Sequence, residues 1–182
     1  EGIEAYKVCK NYMKAVMPSH AKKVQQYNDD RNPLFQKFRL DAQLQDIFNP
    51  KVNLKSGGYL IIDQTEALVA IDVNSGKATR ERSIEDTALK TNLEAAEEFA
   101  RQSRLRDLSG LIVIDFIDME EGKNRNLVEK KLKDAMRKDR ARIQIGEISN
   151  FGLLELSRQR LRPSVIENSS EVCQQCGGSG RI

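Results

Sequence analysis

Two stretches of the chain put acids where apolar runs end: Ala70-Ile71-Asp72-Val73-Asn74-Ser75-Gly76 and Val113-Ile114-Asp115-Phe116-Ile117-Asp118. Side chains two residues apart on a strand share a face, with a rise of about 3.3 Å per residue, so Asp72 and Asn74 converge on one spot. Asp115 reaches the same spot if its strand neighbours theirs. Two carboxylates and an amide are costly as core, but they suit a hard divalent ion such as Mg²⁺. That ion takes oxygen ligands and fills the rest of its shell with water or phosphate oxygen. It would polarise a phosphoryl group and lower the pKa of a bound water. An acid at a strand end is also an ordinary turn former, and Asp63 and Asp118 read that way. The joint placement of Asp72, Asn74 and Asp115 beside strongly apolar runs favours the metal reading. Ser75-Gly76-Lys77 follows directly, with Arg80 and Arg82 behind it: a glycine turn lets backbone approach phosphate, and the cations suit a polyanion. Lys77, Arg80 and Arg142 are the candidate phosphate contacts.

A second constellation is Cys173-Gln174-Gln175-Cys176-Gly177-Gly178-Ser179-Gly180. One C-x-x-C on a glycine-rich turn supplies two of the four ligands of a structural Zn²⁺ site. The others could come from later sequence, from Cys9 or His20, or from the same motif in a second chain. A thioredoxin-like redox pair would need the motif at a helix start after a strand, and the glycines that follow oppose a helix. Cys9 is expected as a core thiol on an apolar helix face, and His20 as a surface residue.

These groups must be held by regular elements. Residues 3–17 read as a helix with Tyr6, Cys9, Met13, Val16 and Met17 on one side, stopped by Pro18. Residues 34–48 read as a second helix, ended by Asn49-Pro50. From Lys51 the texture turns β-rich: VNL, a Ser56-Gly57-Gly58 turn, then YLIIDQ and ALVAIDVN as a hairpin. Ser83, with Asp86 three residues on, opens a helix whose stripe of Leu89, Leu93, Ala96 and Ala100 would press on a sheet. Ser109-Gly110 breaks it, LIVIDFI is a strand, 124–138 a helix and 141–148 a strand. FGLLELSRQRL (151–161) reads as a short terminal helix. The whole is an α/β fold: a layered mixed sheet with flanking helices.

The chain has 182 residues, 39% hydrophobic and 31% charged, with a formal net charge of +3. That is enough for a sizeable core. No apolar run approaches the roughly 18 residues of a membrane span. With Glu1 first and no apolar leader, a piece of a longer cytoplasmic protein is expected. Three cysteines in such a chain argue against a disulfide framework. Between Glu129 and Arg162 there are ten Lys or Arg against five acids, which fits either a polyanion-binding surface or solvated helix faces.

The segments AIDVNSGKATRERSIEDTALKTNLEAA, LRDLSGLIVIDFIDM, DRARIQIGEISNFGLLELSRQRL and CQQCGGSG resemble the catalytic region of the ribonuclease E/G family, its E branch more than its G branch. The resemblance implies an endoribonuclease that cuts single-stranded, A/U-rich RNA and leaves 5′-phosphate and 3′-hydroxyl ends. It implies a DNase I-like catalytic domain over 48–169, part of an RNase H-like subdomain over 1–47, and a zinc knuckle over 170–182. The aspartate of the family's Ile-Asp-x-Asn motif falls on Asp72 and the amide on Asn74. The first acid of its Val-Ile-Asp-Phe-Ile-Asp motif falls on Asp115. In the family the two aspartates hold Mg²⁺, and the amide orients an aspartate or the scissile phosphate. Cys173 and Cys176 would share one Zn²⁺ with a second chain, giving a dimer, and a tetramer in the full-length family. Partners in RNA-decay complexes, and peripheral attachment at the inner membrane, would lie with segments outside this chain. So would the family's OB-type RNA-binding domain, its 5′-monophosphate sensor and its small dimerisation domain. The rival reading from the residues is a zinc-bridged RNA-binding or assembly module, inactive as an isolated fragment.

Overall fold

Proline and glycine divide the chain into segments, and these gather into two units, 1–46 and 47–182. The computed structural model describes residues 2–29, 31–77 and 83–178. In the first unit α1 spans Ile3–Val16, and Pro18 opens a 3-10 turn through Lys23. The predicted 34–48 helix is instead two short ones, α2 (Leu34–Lys37) and α3 (Leu40–Asp46), separated where Arg39 takes a left-handed φ of 52°. A helix cannot run through a left-handed residue. No residue of α1 is buried, and Cys9 is exposed, which corrects the expectation of a core thiol. His20 is exposed, as expected.

The second unit is built on β1 (Lys51–Asn53), β2 (Tyr59–Gln64), β3 (Val69–Asn74), α4 (Ile84–Leu105), β4 (Gly110–Asp115), α5 (Gly122–Met136), β5 (Ile143–Ile148), β6 (Leu153–Arg158) and α6 (Val165–Ser169). The six strands form one mixed sheet in the order β1-β2-β3-β4-β6-β5. The predicted hairpin is the antiparallel β2–β3 pair. β3 and β4 run parallel, which requires a crossover, and α4 supplies it.

Alternation along the strands sends Leu60, Ile62, Val69, Ile71, Val73, Ile112 and Ile114 into one core with Leu154 and Leu156. The helices that cover this face are α4 and α5. From α4 the buried residues include Ala88, Ala95, Ala96, Phe99 and Ala100, while Leu89 and Leu93 pack at the margin. The inward face is therefore rotated from the predicted stripe. Four alanines let the helix axis approach the sheet, and Phe99 fills the remaining depth; burying a side chain of that size contributes about 1.5–3 kcal/mol. Ser83 caps α4 by accepting from Asp86 N at 3.0 Å.

The segment 151–161 is the clearest correction. It is strand β6, not a terminal helix, and lies inside the sheet between β4 and β5. Leu154, Leu156 and Arg158 point inward while Leu153, Glu155 and Ser157 are exposed, the period of two that a strand imposes. Arg158 stays buried because Asp139 meets it with two hydrogen bonds, at 2.9 and 3.1 Å, and the Leu108 carbonyl accepts a third at 2.6 Å. The helix α6 carries a Ser164–Glu167 capping box, and Gln64 of β2 contacts both residues at 3.3 Å.

Candidate active site

Parallel pairing of β3 with β4 puts Ile71 beside Ile114 and Asp72 beside Asp115. Neighbouring strands lie about 4.8 Å apart, so the two aspartates leave the backbone side by side at the C-terminal ends of adjacent strands. Ile71, Val73, Ile114 and Phe116 are buried, so Asp72 and Asp115 take the opposite, exposed face. Asn74, half-buried and two residues beyond Asp72, donates from Nδ2 to Asp72 Oδ2 at 2.8 Å. That bond fixes one carboxylate oxygen and leaves the other available.

The electrostatics of the pair match its geometry. Partial burial, then the charges of Asp72 and Asp118, raise the Asp115 pKa above the usual carboxylate range. Carboxylates that repel one another are relieved by a divalent cation. Among the described residues no group of three or more His, Cys, Asp or Glu is arranged to hold a metal. An ion here would thus rest on two carboxylates and take its other ligands from water or phosphate oxygen, which fits Mg²⁺ rather than a fully protein-caged ion.

Several residues that sequence reading missed hold this site in place. Asn92 of α4, fully buried, clamps the backbone just past Asp115: its Nδ2 donates to Ile117 O at 2.8 Å, and its Oδ1 accepts from Ile117 N at 3.1 Å. Glu85 accepts from Asn124 Nδ2 at 2.6 Å, Glu120 N at 3.0 Å and Glu121 N at 3.3 Å. The Asn124 bond first, then the Glu120 amide, hold the Glu85 carboxyl below its ordinary range. Gly58 lies so close to the end of β3 that a Cβ would sit 2.7 Å from Asn74 O and 2.9 Å from Thr91 Cγ2. The Ser56-Gly57-Gly58 run signalled a turn; its packing against Asn74 left no mark on the sequence. Asp118, read as a turn former, lies close enough to Asp115 to raise its pKa.

Of the candidate phosphate contacts, Lys77 and Arg142 lie at opposite ends of the sheet. Lys77 is exposed in the turn that follows β3, at the same end of the sheet as Asp72, and its N donates to Gly57 O at 3.3 Å. Arg80 lies outside the described residues. Arg142 sits at the far end: it precedes β5 at the level of Gln159, whereas Asp115 pairs with Leu153 at the other end of β6. Six residues at about 3.3 Å each separate those levels by roughly 20 Å. The basic run between 129 and 162 is also largely neutralised. Lys131, Lys133, Arg137, Arg158, Arg160 and Arg162 pair with Glu97, Glu129, Asp134, Asp139, Glu167 and Asp107.

Cys173 and Cys176 flank a tight turn in which Gly177 N donates to Cys173 O at 2.9 Å. Neither forms a disulfide, Cys173 is exposed and Cys176 half-buried.

The profile of the Ribonuclease E/G family matches residues 1–161, a span that holds Asp72, Asn74 and Asp115. The chain belongs to the ribonuclease E/G family. Ribonuclease E of Haemophilus influenzae is 51% identical over 177 residues, which cover 97% of this chain and 19% of that protein. Ribonuclease E of Escherichia coli is 54% identical over 165 residues, 91% of this chain and 16% of that protein. Ribonuclease G of Escherichia coli is 39% identical over 177 residues, 97% of this chain and 36% of that protein. This family member therefore spans less than a fifth of the length of either ribonuclease E. Among the described residues no helix is long and apolar enough to cross a membrane.

Proposed function

We propose that this chain carries the chemical centre of a Mg²⁺-dependent endoribonuclease of RNA processing and decay. It cuts single-stranded, A/U-rich RNA to leave 5′-phosphate and 3′-hydroxyl ends. The observation that carries the reading is the side-by-side pairing of Asp72 with Asp115 in a chain of the ribonuclease E/G family. Both carboxylates would hold the ion, and Asn74 keeps Asp72 turned toward it. When bound, Mg²⁺ supplies neutralisation of charge on the phosphoryl oxygens and acidification of water. Lys77, exposed in the turn after β3, and Arg80, three residues on in the sequence, would meet the RNA backbone. Arg142, at the other end of the sheet, would meet the RNA only at nucleotides farther from the ion.

On the same reading, 48–169 is a DNase I-like catalytic domain and 1–47 the end of an RNase H-like subdomain. Residues 170–182 are a knuckle in which Cys173 and Cys176 supply half of a Zn²⁺ site completed by a second chain, so that one motif used twice closes the shell across a twofold axis. The working location is the cytoplasm. A second reading, a zinc-bridged RNA-binding or assembly module, draws support from the C-x-x-C turn and from the small share of its relatives that the chain spans.

One assay separates the two: a fluorogenic single-stranded RNA with Mg²⁺, beside an Asp115→Ala control. Cleavage that disappears in the control supports the enzyme; equal cleavage by both rejects the assignment of Asp115. Zinc content with native mass tests the knuckle. Half an equivalent of zinc per chain in a dimer supports the shared site, and a full equivalent in a monomer excludes it.

A further inference from the structure

The turn between β5 and β6 holds an aromatic ring in solvent beside the two carboxylates of the second acidic motif. Phe151 is 82% exposed and contributes nothing to the core. Its backbone is nonetheless fixed. Ser149 Oγ accepts from Phe151 N at 3.2 Å and from Leu153 N at 3.3 Å, Ser149 N donates to Leu153 O at 2.8 Å, and Gly152 N donates to Ser149 O at 3.1 Å. The turn is also latched to the residue after Asp115, since Phe116 N donates to Gly152 O at 3.1 Å. Gly152 has a φ of +78°, and a Cβ there would lie 2.8 Å from Phe116 O, 3.2 Å from Asp118 Oδ1 and 3.9 Å from Asp115 Oδ1. The residue next to Phe151 thus touches the acidic centre. A concavity of about 440 Å³, lined among others by Asp118, Arg125, Asn150 and Phe151, opens at this point.

We propose that Phe151, with Asn150 beside it, forms a subsite for one unstacked nucleobase flanking the linkage that is cut; this rests on the ribonuclease reading above. Bases of single-stranded RNA splay out and stack on aromatic side chains, and any base offers a π-face. The Asn150 amide can both donate to and accept from a base edge. A ring carried on a fixed backbone has only its own side-chain rotation to lose when a base stacks on it. The pairing of a stacking ring with nearby carboxylates would place one base and so fix the adjoining phosphate over Asp72 and Asp115.

The test is an abasic scan. The full chain and its Phe151→Ala, Phe151→Trp and Asp115→Asn variants are assayed on single-stranded RNAs that lack the base at each nucleotide flanking the cleaved linkage in turn. Expected is one position where base removal lowers wild-type kcat/KM about tenfold, within the range of base–aromatic stacking. Phe151→Ala should lose the same factor on intact RNA and nothing further on the abasic RNA, and Phe151→Trp should restore the dependence. If Phe151→Ala responds to every abasic position as wild type does, while Asp115→Asn abolishes cleavage, the base subsite is wrong and the nuclease reading stands. If Phe151→Ala instead alters native mass with that dependence unchanged, the ring serves self-association and the proposal falls. Cleavage unaffected by Asp115→Asn removes the nuclease reading, and the subsite with it.

Discussion

Asp72 and Asp115 are register partners on parallel β3 and β4, although α4 and the turns around it separate them in sequence. The crossover turns a long-range pair into near neighbours. It also makes their separation a property of the sheet rather than of a flexible loop, as a preorganised ion site needs.

Mg²⁺ should stabilise the wild-type fold, and Asp115→Asn should remove that effect. At a concentration about 100 times its Kd the ion would add about 2.7 kcal/mol, read as a rise in Tm. In metal-free buffer the Asn variant should melt above wild type at neutral pH. The Asp115 pKa is raised in the fold, so its favourable contribution exists at low pH and is lost as pH rises through that raised value. The advantage of the variant should therefore vanish in acid. A wild-type Tm insensitive to Mg²⁺ would remove Asp115 from the ion site.

Asn74→Ala should leave the fold intact and lower activity or metal affinity about 10- to 100-fold, the usual cost of removing a partner that orients a metal ligand. A Mg²⁺ titration of turnover distinguishes the two: a shifted midpoint shows loss of affinity, and a lower plateau shows a misdirected Asp72.

Asn92→Ala should be severe despite its distance from solvent chemistry. It leaves Ile117 N and O without their side-chain partners in a half-buried place, at a cost of about 1–3 kcal/mol. Urea unfolding should show a lower midpoint with an unchanged slope. A loss of activity with no change in midpoint would place Asn92 in the chemistry instead.

Arg158→Met tests the buried pair with Asp139. Burial alone would raise the Asp139 pKa, but hydrogen bonds from Arg158 and Ala141 N and the charges of Arg158 and Arg104 outweigh it and hold the carboxyl below its ordinary range. Breaking the pair should cost about 3–5 kcal/mol at neutral pH. Because the folded pKa is depressed, the stabilisation is present above the ordinary Asp value and lost as pH falls through the depressed one. Melting curves of the two proteins should converge in acid.

Much of the centre was legible because it is local. The run Ile71-Asp72-Val73-Asn74 alternates as a strand must, and the apolar Ile112-Val113-Ile114 announces the strand that carries Asp115. What failed depended on distant partners. Leu153, Leu154, Leu156 and Leu161 fit a short helix as well as a strand, and the choice was made by β4 and β5 offering open edges on both sides. The position of Arg142 was hidden for the same reason: which end of the sheet it occupies follows from β6 entering between β4 and β5. Glu85, Asn92 and Gly152 act through contacts that close only in three dimensions, and none carries a motif.

The interior position of β6 has a consequence for how the molecule is made. Of the six strands of this sheet it is the last to be synthesised, yet it seals the flank of β4, the strand that carries Asp115. A nascent chain that has reached only Ile148 therefore presents β4 with a bare edge, open to stray pairing. Competence is deferred until translation has passed Arg158, and a truncated product would be a sticky intermediate rather than a smaller working machine.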